Sequence, residues 1–257
     1  MEYEKTPANT INRKANKANY EVATVHSIVN EAPILHVSFV PDPYEPVPVI
    51  LPMIGLMAKY GSDEDEHCYL HGYTASRFFK QTTKEGESGD PEGLQVCIAA
   101  TIVDGLVLSL TPNSHSMNFR SSVLHGRATV VTDTAERLWA MEEITNSVVP
   151  GRWGQTRVPP NSTEMTSTKI LKVKISSASS KIRAAEPSDE KYDVERSDVI
   201  DHVWTGVVPI HQSFGEPIPS SYNKVKDVPP NLTEYIAKAN EDGSKYAQEV
   251  ATKSPPK

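Results

Sequence analysis

Residues 68–80 read Cys68-Tyr-Leu-His-Gly-Tyr-Thr-Ala-Ser-Arg-Phe-Phe-Lys80. The stretch has the pattern of a strand that turns into a short helix. Tyr69 and Leu70 favour the strand, Gly72 permits the turn, and Thr74 is placed to cap a helix carrying Ser76, Arg77, Phe78 and Phe79. Ser76 and Arg77 then fall in the first turn, where free backbone N–H groups and the helix dipole favour an anion. A hydroxyl and a guanidinium in that position form a phosphate cradle. The competing reading is an ordinary helix start with a solvated arginine.

Two segments further along bear on that choice. Leu94 to Leu110 is nearly all apolar but is interrupted by Asp104-Gly105. Asp-Gly between two β-rich runs predicts a hairpin, because both turn positions need positive φ. A membrane helix would need about 20 unbroken apolar residues, so that reading is rejected. In residues 114–131 the later half alternates like a strand, with Arg120, Ser122 and Leu124 on one face and Ser121, Val123 and His125 on the other.

The rest of the chain is organised around these pieces. Residues 1–18 are polar and predict a flexible arm. Tyr20 to Asn30 places Val22, Val25, Ile28 and Val29 on one helical face, and Pro33 closes it. Ile34 to Val40 reads as a strand. Val47 to Met57 reads as another, with Pro52 suiting an edge rather than a central position. Asp133 or Thr134 caps a helix running to about Val148. Ile170 to Ile175 and Val203 to Ile210 complete the strands. Short strands with interspersed helices predict a mainly β, α-decorated (α+β) small barrel over residues 19–214. Residues 215–257 form a Pro- and charge-rich tail, dispensable for the barrel core, in which Leu232 to Val250 can form a surface helix weakened by Asp242-Gly243.

Composition narrows the function. A net charge of −7 argues against nucleic acid or an anionic membrane as partner. No apolar leader follows Met1, and the two cysteines, Cys68 and Cys97, lack CxxC spacing, which together suit a reducing, cytoplasmic setting. His67 and His71 on one strand would lie about 13 Å apart, too far to share an ion, so no metal site is expected. The dinucleotide fingerprint, the P-loop and the Gly-x-Ser-x-Gly and His-Glu-x-x-His motifs are absent from the sequence.

Taken together, Ala23-Thr-Val-His-Ser-Ile28, Tyr69 to Arg77, Val103-Asp-Gly-Leu-Val-Leu108, His115-Ser-Met-Asn-Phe-Arg-Ser121, His125-Gly-Arg-Ala128, Val149-Pro-Gly-Arg-Trp153 and Val203-Trp-Thr-Gly-Val-Val-Pro209 resemble the pyridoxamine 5'-phosphate oxidase-like, FMN-binding split-barrel superfamily. The nearest look is to its flavin-nucleotide-binding and nitroimidazole-resistance-type branch. The resemblance covers roughly residues 18–212. It implies an antiparallel Greek-key split barrel, a homodimer, and FMN in a groove between the subunits. Carried over by residue, it implies that His71 and Gly72 stand beside the flavin and that Ser76 and Arg77 hold its phosphate. Arg120 and Ser121 match an Arg-Gln pair, Trp204 matches a flavin-contacting Trp-x-Gly, and Pro52 and Met53 lie on a flavin-facing strand. Phe78 stands where the oxidases proper have a lysine, which would leave a less charged groove and argues against vitamin B6 oxidation.

The expected function is therefore that of an FMN-dependent oxidoreductase acting on a small molecule, reduced by NAD(P)H or a partner reductase. Haem binding through His71, His115 or His125 is an alternative, since related split barrels bind haem. A non-catalytic flavin-binding role is another.

Overall fold

The computed structural model describes residues 1–42, 44–76, 78–82 and 93–255. Its strands are β1 (Ala18–Asn19), β2 (Leu35–Phe39), β3 (Val49–Met53), β4 (Gly55–Ala58), β5 (His67–Tyr73), β6 (Leu94–Leu108), β7 (Ser116–Val130), β8 (Thr168–Arg183) and β9 (Gly206–Pro209). They form one sheet ordered β3-β2-β6-β7-β8-β5-β4, with β1 added on β8 and β9 on β6. The pairings β2–β3, β2–β6, β4–β5, β5–β8 and β6–β9 are antiparallel. The helices are α1 (Val22–Glu31), α2 (Thr134–Val148), α3 (Ser162–Ser167), α4 (Lys191–Val194), α5 (Ser197–Ile200) and α6 (Pro230–Ala251), with a further helical turn over residues 78–82.

The chain divides into two compact units, Met1–Thr101 with Ser121–Ser180, and Ile102–Arg120 with Lys181–Lys257. In the first, α1 buries Val25, His26, Ile28 and Val29, the face its apolar spacing marked. The strands contribute Leu35, Val37, Tyr69, Leu70, Ile98, Leu124, Ile170 and Leu171 to the same interior. A cluster of Leu56, Tyr69, Val131, Ala140, Ile144 and Ile170 seats α2 on the sheet. Asp133 caps α2 by accepting from the Glu136 N–H at 2.8 Å. Residues of the N-terminal segment are held by specific bonds. Asn9 is buried and donates to the carbonyls of Glu4 and Ala178 at 2.9 and 3.0 Å. His26 lies between the Tyr3 hydroxyl at 2.6 Å and Glu66 at 2.5 Å.

Two strand expectations need correction. The single strand expected over Val47 to Met57 is two, β3 and β4, with Pro52 on β3 at the end of the sheet order, where a missing N–H costs least. The hairpin expected at Asp104-Gly105 is absent, and β6 runs straight through both residues. The reason lies in the second unit. Asp104 is buried and accepts from Arg120 Nε and Nη2 at 3.1 and 2.9 Å. Gly105 lies opposite Pro209, and an added Cβ would meet Val207 Cγ1 at 2.9 Å and the Val208 carbonyl at 3.1 Å. An ion pair and a close strand crossing, not a turn, select these two residues.

In that second unit α6 runs unbroken through Asp242-Gly243 and buries Ala247 and Val250. Tyr246 stacks under the Arg120 guanidinium at 4.2 Å, and Phe214 packs edge-on to Tyr235 at 5.5 Å. The amphipathic pattern of the helix outweighs one glycine, which costs about 1 kcal/mol in a helix interior.

Candidate functional site

The chain turns out of β5 at Tyr73, and three packing devices fix that turn. Gly72 is a strand residue in register with Lys169. Its glycine is required because Phe79 lies against it; an added Cβ would meet the ring at 2.5 Å. Phe78 and Phe79 are both buried, and Phe78 packs on Phe39 at 4.7 Å between ring centroids. The expectation that Phe78 lines a groove is therefore corrected: the ring is in the core, and Lys80, two residues on, is the side chain that reaches the cleft. The third device is Thr74. Its N–H and hydroxyl both donate to the Ser167 carbonyl at 2.9 Å, and the hydroxyl also reaches the Thr166 carbonyl at 3.0 Å.

Thr74 thus ties the turn to α3 instead of capping the helix after it. Helical backbone is described from residue 78, and the Lys80 N–H bonds to the Ser76 carbonyl at 3.1 Å. Ser76 consequently stands at the N-cap position, not in the first turn. Its Oγ is buried and has no hydrogen-bond partner among the described residues. Arg77 lies outside the described residues.

Against this turn lies a cleft of about 760 Å³ lined by Tyr73, Thr74, Ala75, Lys80, Ser162, Thr163, Thr166, Ser167 and Lys169. Hydroxyl-bearing and lysine side chains line it, with no carboxylate among the described residues, a set of donors that could receive an anion. Four of the hydroxyls come from α3, which the sequence reading missed. Its signal was present: Asn161-x-x-Glu164 is a capping-box spacing, and both halves form, Asn161 Oδ1 accepting from the Glu164 N–H at 2.9 Å and Glu164 from the Asn161 N–H at 2.7 Å.

A second cleft of about 480 Å³ is lined by Ile54, His71, Met141, Ile144, Val148, Arg152, Trp153 and Arg157, among others, with Glu164 and Thr168 at its border with α3. His71 Nδ1 is buried without a partner among the described residues. Burial holds its pKa below the ordinary 6.5, so the ring is neutral near pH 7. Glu164 forms an ion pair with Arg157 at the rim, and Arg157 with the backbone bond from Asn161 lowers its carboxyl pKa.

The structure brings His71, Gly72 and Ser76 to one end of β5. Pro52 and Met53, paired with His36 and Leu35 on β3, come to neither cleft. Ser121 is half-buried on β7 in the same unit. Arg120 and Trp204 belong to the second unit. Both prongs of the Arg120 guanidinium are engaged by Asp104, and its face by Tyr246. Trp204 is no core aromatic: it is 67% exposed, and its ring covers Gly206, where an added Cβ would meet it at 2.8 Å. His125 Nε2 is buried without a partner among the described residues, whereas His115 is exposed with Nδ1 3.1 Å from the Thr111 carbonyl.

An antiparallel nine-stranded sheet whose path ends at two separate edges, with a cleft at the end of β5, defines the open split-barrel class. Residues 21–182 match the profile of the family described as pyridoxamine 5'-phosphate oxidase, and the chain belongs to that family. It is similar to the solved structure of the flavocytochrome Anf3 from Azotobacter vinelandii, with 27% identity, a TM-score of 0.72, and coverage of 90% of this chain and 97% of that one. It has the same fold as the FAD and haem binding protein from Mycobacterium smegmatis, with 22% identity, a TM-score of 0.70, and coverage of 86% and 97%. No curated protein matches the sequence.

Proposed function

We propose that the chain binds a flavin nucleotide, FMN in the simplest case, with the phosphate in the cleft between the Tyr73–Ser76 turn and α3. One observation carries this reading. The cleft is lined by Lys80, Lys169 and a set of hydroxyls, with no carboxylate in its lining among the described residues, and the turn beside it carries Ser76, whose buried Oγ has no hydrogen-bond partner among the described residues. A phosphate dianion there would be met by the lysine ammonium groups and by the hydroxyls of Ser162 and Thr163, while those of Thr74, Thr166 and Ser167 already donate to backbone carbonyls. The similarity to a flavocytochrome over nine-tenths of the chain supports the assignment. A flavin bound there supplies the electron chemistry, while the protein supplies position and electrostatics. On this reading the protein is an oxidoreductase on a small molecule, recharged by NAD(P)H or a reductase. It works as a homodimer, and the exposed Trp204 is available to the second copy.

Replacing Lys80 by Ala removes a charge-assisted contact worth about 1.5–3 kcal/mol, so FMN affinity drops about 10-fold or more while riboflavin affinity hardly changes. Equal FMN affinity in both proteins would place the phosphate elsewhere. Light scattering of the flavin-loaded protein gives about twice 28.3 kDa if the homodimer forms, and 28.3 kDa if it does not.

His71 favours a second reading, in which the smaller cleft takes haem. A neutral imidazole whose Nδ1 has no partner among the described residues shares the cleft with Ile54, Met141, Ile144 and Trp153, and Arg152 at the same cleft could receive a carboxylate. A Soret band on addition of haemin that is lost in His71→Ala supports this reading. A band of equal strength in the variant removes it.

A further inference from the structure

We infer that α3 couples the two clefts, so that occupancy of the phosphate cleft sets the order of the rim of the His71 cleft; this rests on the flavin reading above. The helix is shared between them. Ser162, Thr163, Thr166 and Ser167 face the phosphate cleft, while Glu164, with the flanking Pro160 and Thr168, borders the other.

With six residues and no buried side chain, α3 has almost nothing of its own to hold it. A helix this short does not persist without external partners, because nucleation fixes several dihedrals for each hydrogen bond made. Its position is set by tethers, and two of them end in the two clefts. From the phosphate cleft, Thr74 donates to the carbonyls of Thr166 and Ser167 at 3.0 and 2.9 Å. From the His71 cleft, Arg157 pairs with Glu164, the residue that also closes the capping box on the Asn161 N–H. A third tether, from Arg137 of α2, reaches the carbonyls of Met165 and Thr168.

A ligand that contacts the Thr74 turn and accepts from the Ser162 and Thr163 hydroxyls therefore orders the same six residues that carry Glu164. The ordering cost is met once, and the Arg157–Glu164 rim is found closed by whatever enters the second cleft. Linkage makes the effect reciprocal: loosening the rim must weaken binding in the phosphate cleft.

Two measurements test this on the full chain. In the first, hydrogen exchange of residues 157–164 is followed with and without saturating FMN, with FMN binding read separately from its fluorescence. The expected slowing is read at residues 157–161, which do not line the phosphate cleft, and not at Ser162 and Thr163, which do. In the second, FMN is titrated into Glu164→Ala, which removes the carboxylate half of the capping box and the rim pair from a position outside the phosphate cleft, leaving the Asn161 cap on the backbone N–H of residue 164. Its affinity falls about fivefold or more, with an unfolding transition confirming the fold. If FMN binds but leaves exchange at 157–161 unchanged, or if folded Glu164→Ala binds FMN as the wild type does, the coupling is overturned. If the wild-type chain does not bind FMN at all, it is the flavin reading that falls.

Discussion

Single residues in this protein are chosen mostly by what touches them. Gly72 is the clearest case. Its place before a turn suggests conformational freedom, yet its backbone is ordinary strand and the constraint is the Phe79 ring. Gly72→Ala forces that ring from a filled core, and overpacking of this kind costs about 1–3 kcal/mol. The urea midpoint should fall accordingly, and an unchanged midpoint would show that the ring can move aside freely. Asp104 poses a sharper case, because it is a buried charge with a half-buried partner. Asp104→Asn removes the charge that both Arg120 Nε and Nη2 bond to, which costs up to about 3–5 kcal/mol, whereas the double replacement Asp104→Leu with Arg120→Met recovers part of the loss. Equal stability of the single and double variants would deny the pair its role. His71 makes a pH prediction. Its folded pKa lies below 6.5 because burial disfavours the charged ring. Between that lowered value and 6.5 the unfolded chain binds the proton and the folded chain does not, so stability is lost as pH falls through this window. His67, lowered mainly by burial as well, acts in the same direction. The slope of stability against pH should flatten in His71→Phe, and an unaltered slope would locate the dependence elsewhere.

At the scale of elements, periodicity was legible wherever one face is buried. The helical stripe of Val25, Ile28 and Val29 and the alternation of Ser122 and Leu124 against Val123 appear in the structure as read. Asp133 and the Asn161–Glu164 box show that caps are legible too. What could not be read is contact between distant segments. Nothing local in Asp104-Gly105 tells a turn from a strand; Arg120 and β9 decide it. Thr74 likewise has the chemistry of a cap, and only the arrival of α3, some 90 positions later, turns its hydroxyl aside. The candidate site was half legible for the same reason. The turn at Ser76 was visible, but Lys169 and the α3 hydroxyls come from across the chain.

For the whole molecule, the C-terminal segment separates composition from packing. Its Pro and charge content suggests a dispensable tail, yet α6 buries Ala247 and Val250 and places Tyr246 on Arg120. Fully burying one valine is worth about 1.5–3 kcal/mol. Ending the chain at Gly215 should therefore lower the melting temperature by more than about 5 °C; a shift within a degree or two would restore the simpler view. No described helix is long and apolar enough to cross a membrane.

The central claim is that the hydroxyl- and lysine-lined cleft holds the phosphate of a flavin nucleotide. Its most direct test is a fluorescence titration of the ligand-free protein with FMN and, in parallel, with riboflavin, which differs only in lacking the phosphate. The account predicts saturable quenching of FMN at one flavin per chain and riboflavin binding at least about 10-fold weaker. Unsaturable titrations with both flavins, or equal affinity for the two, would contradict it.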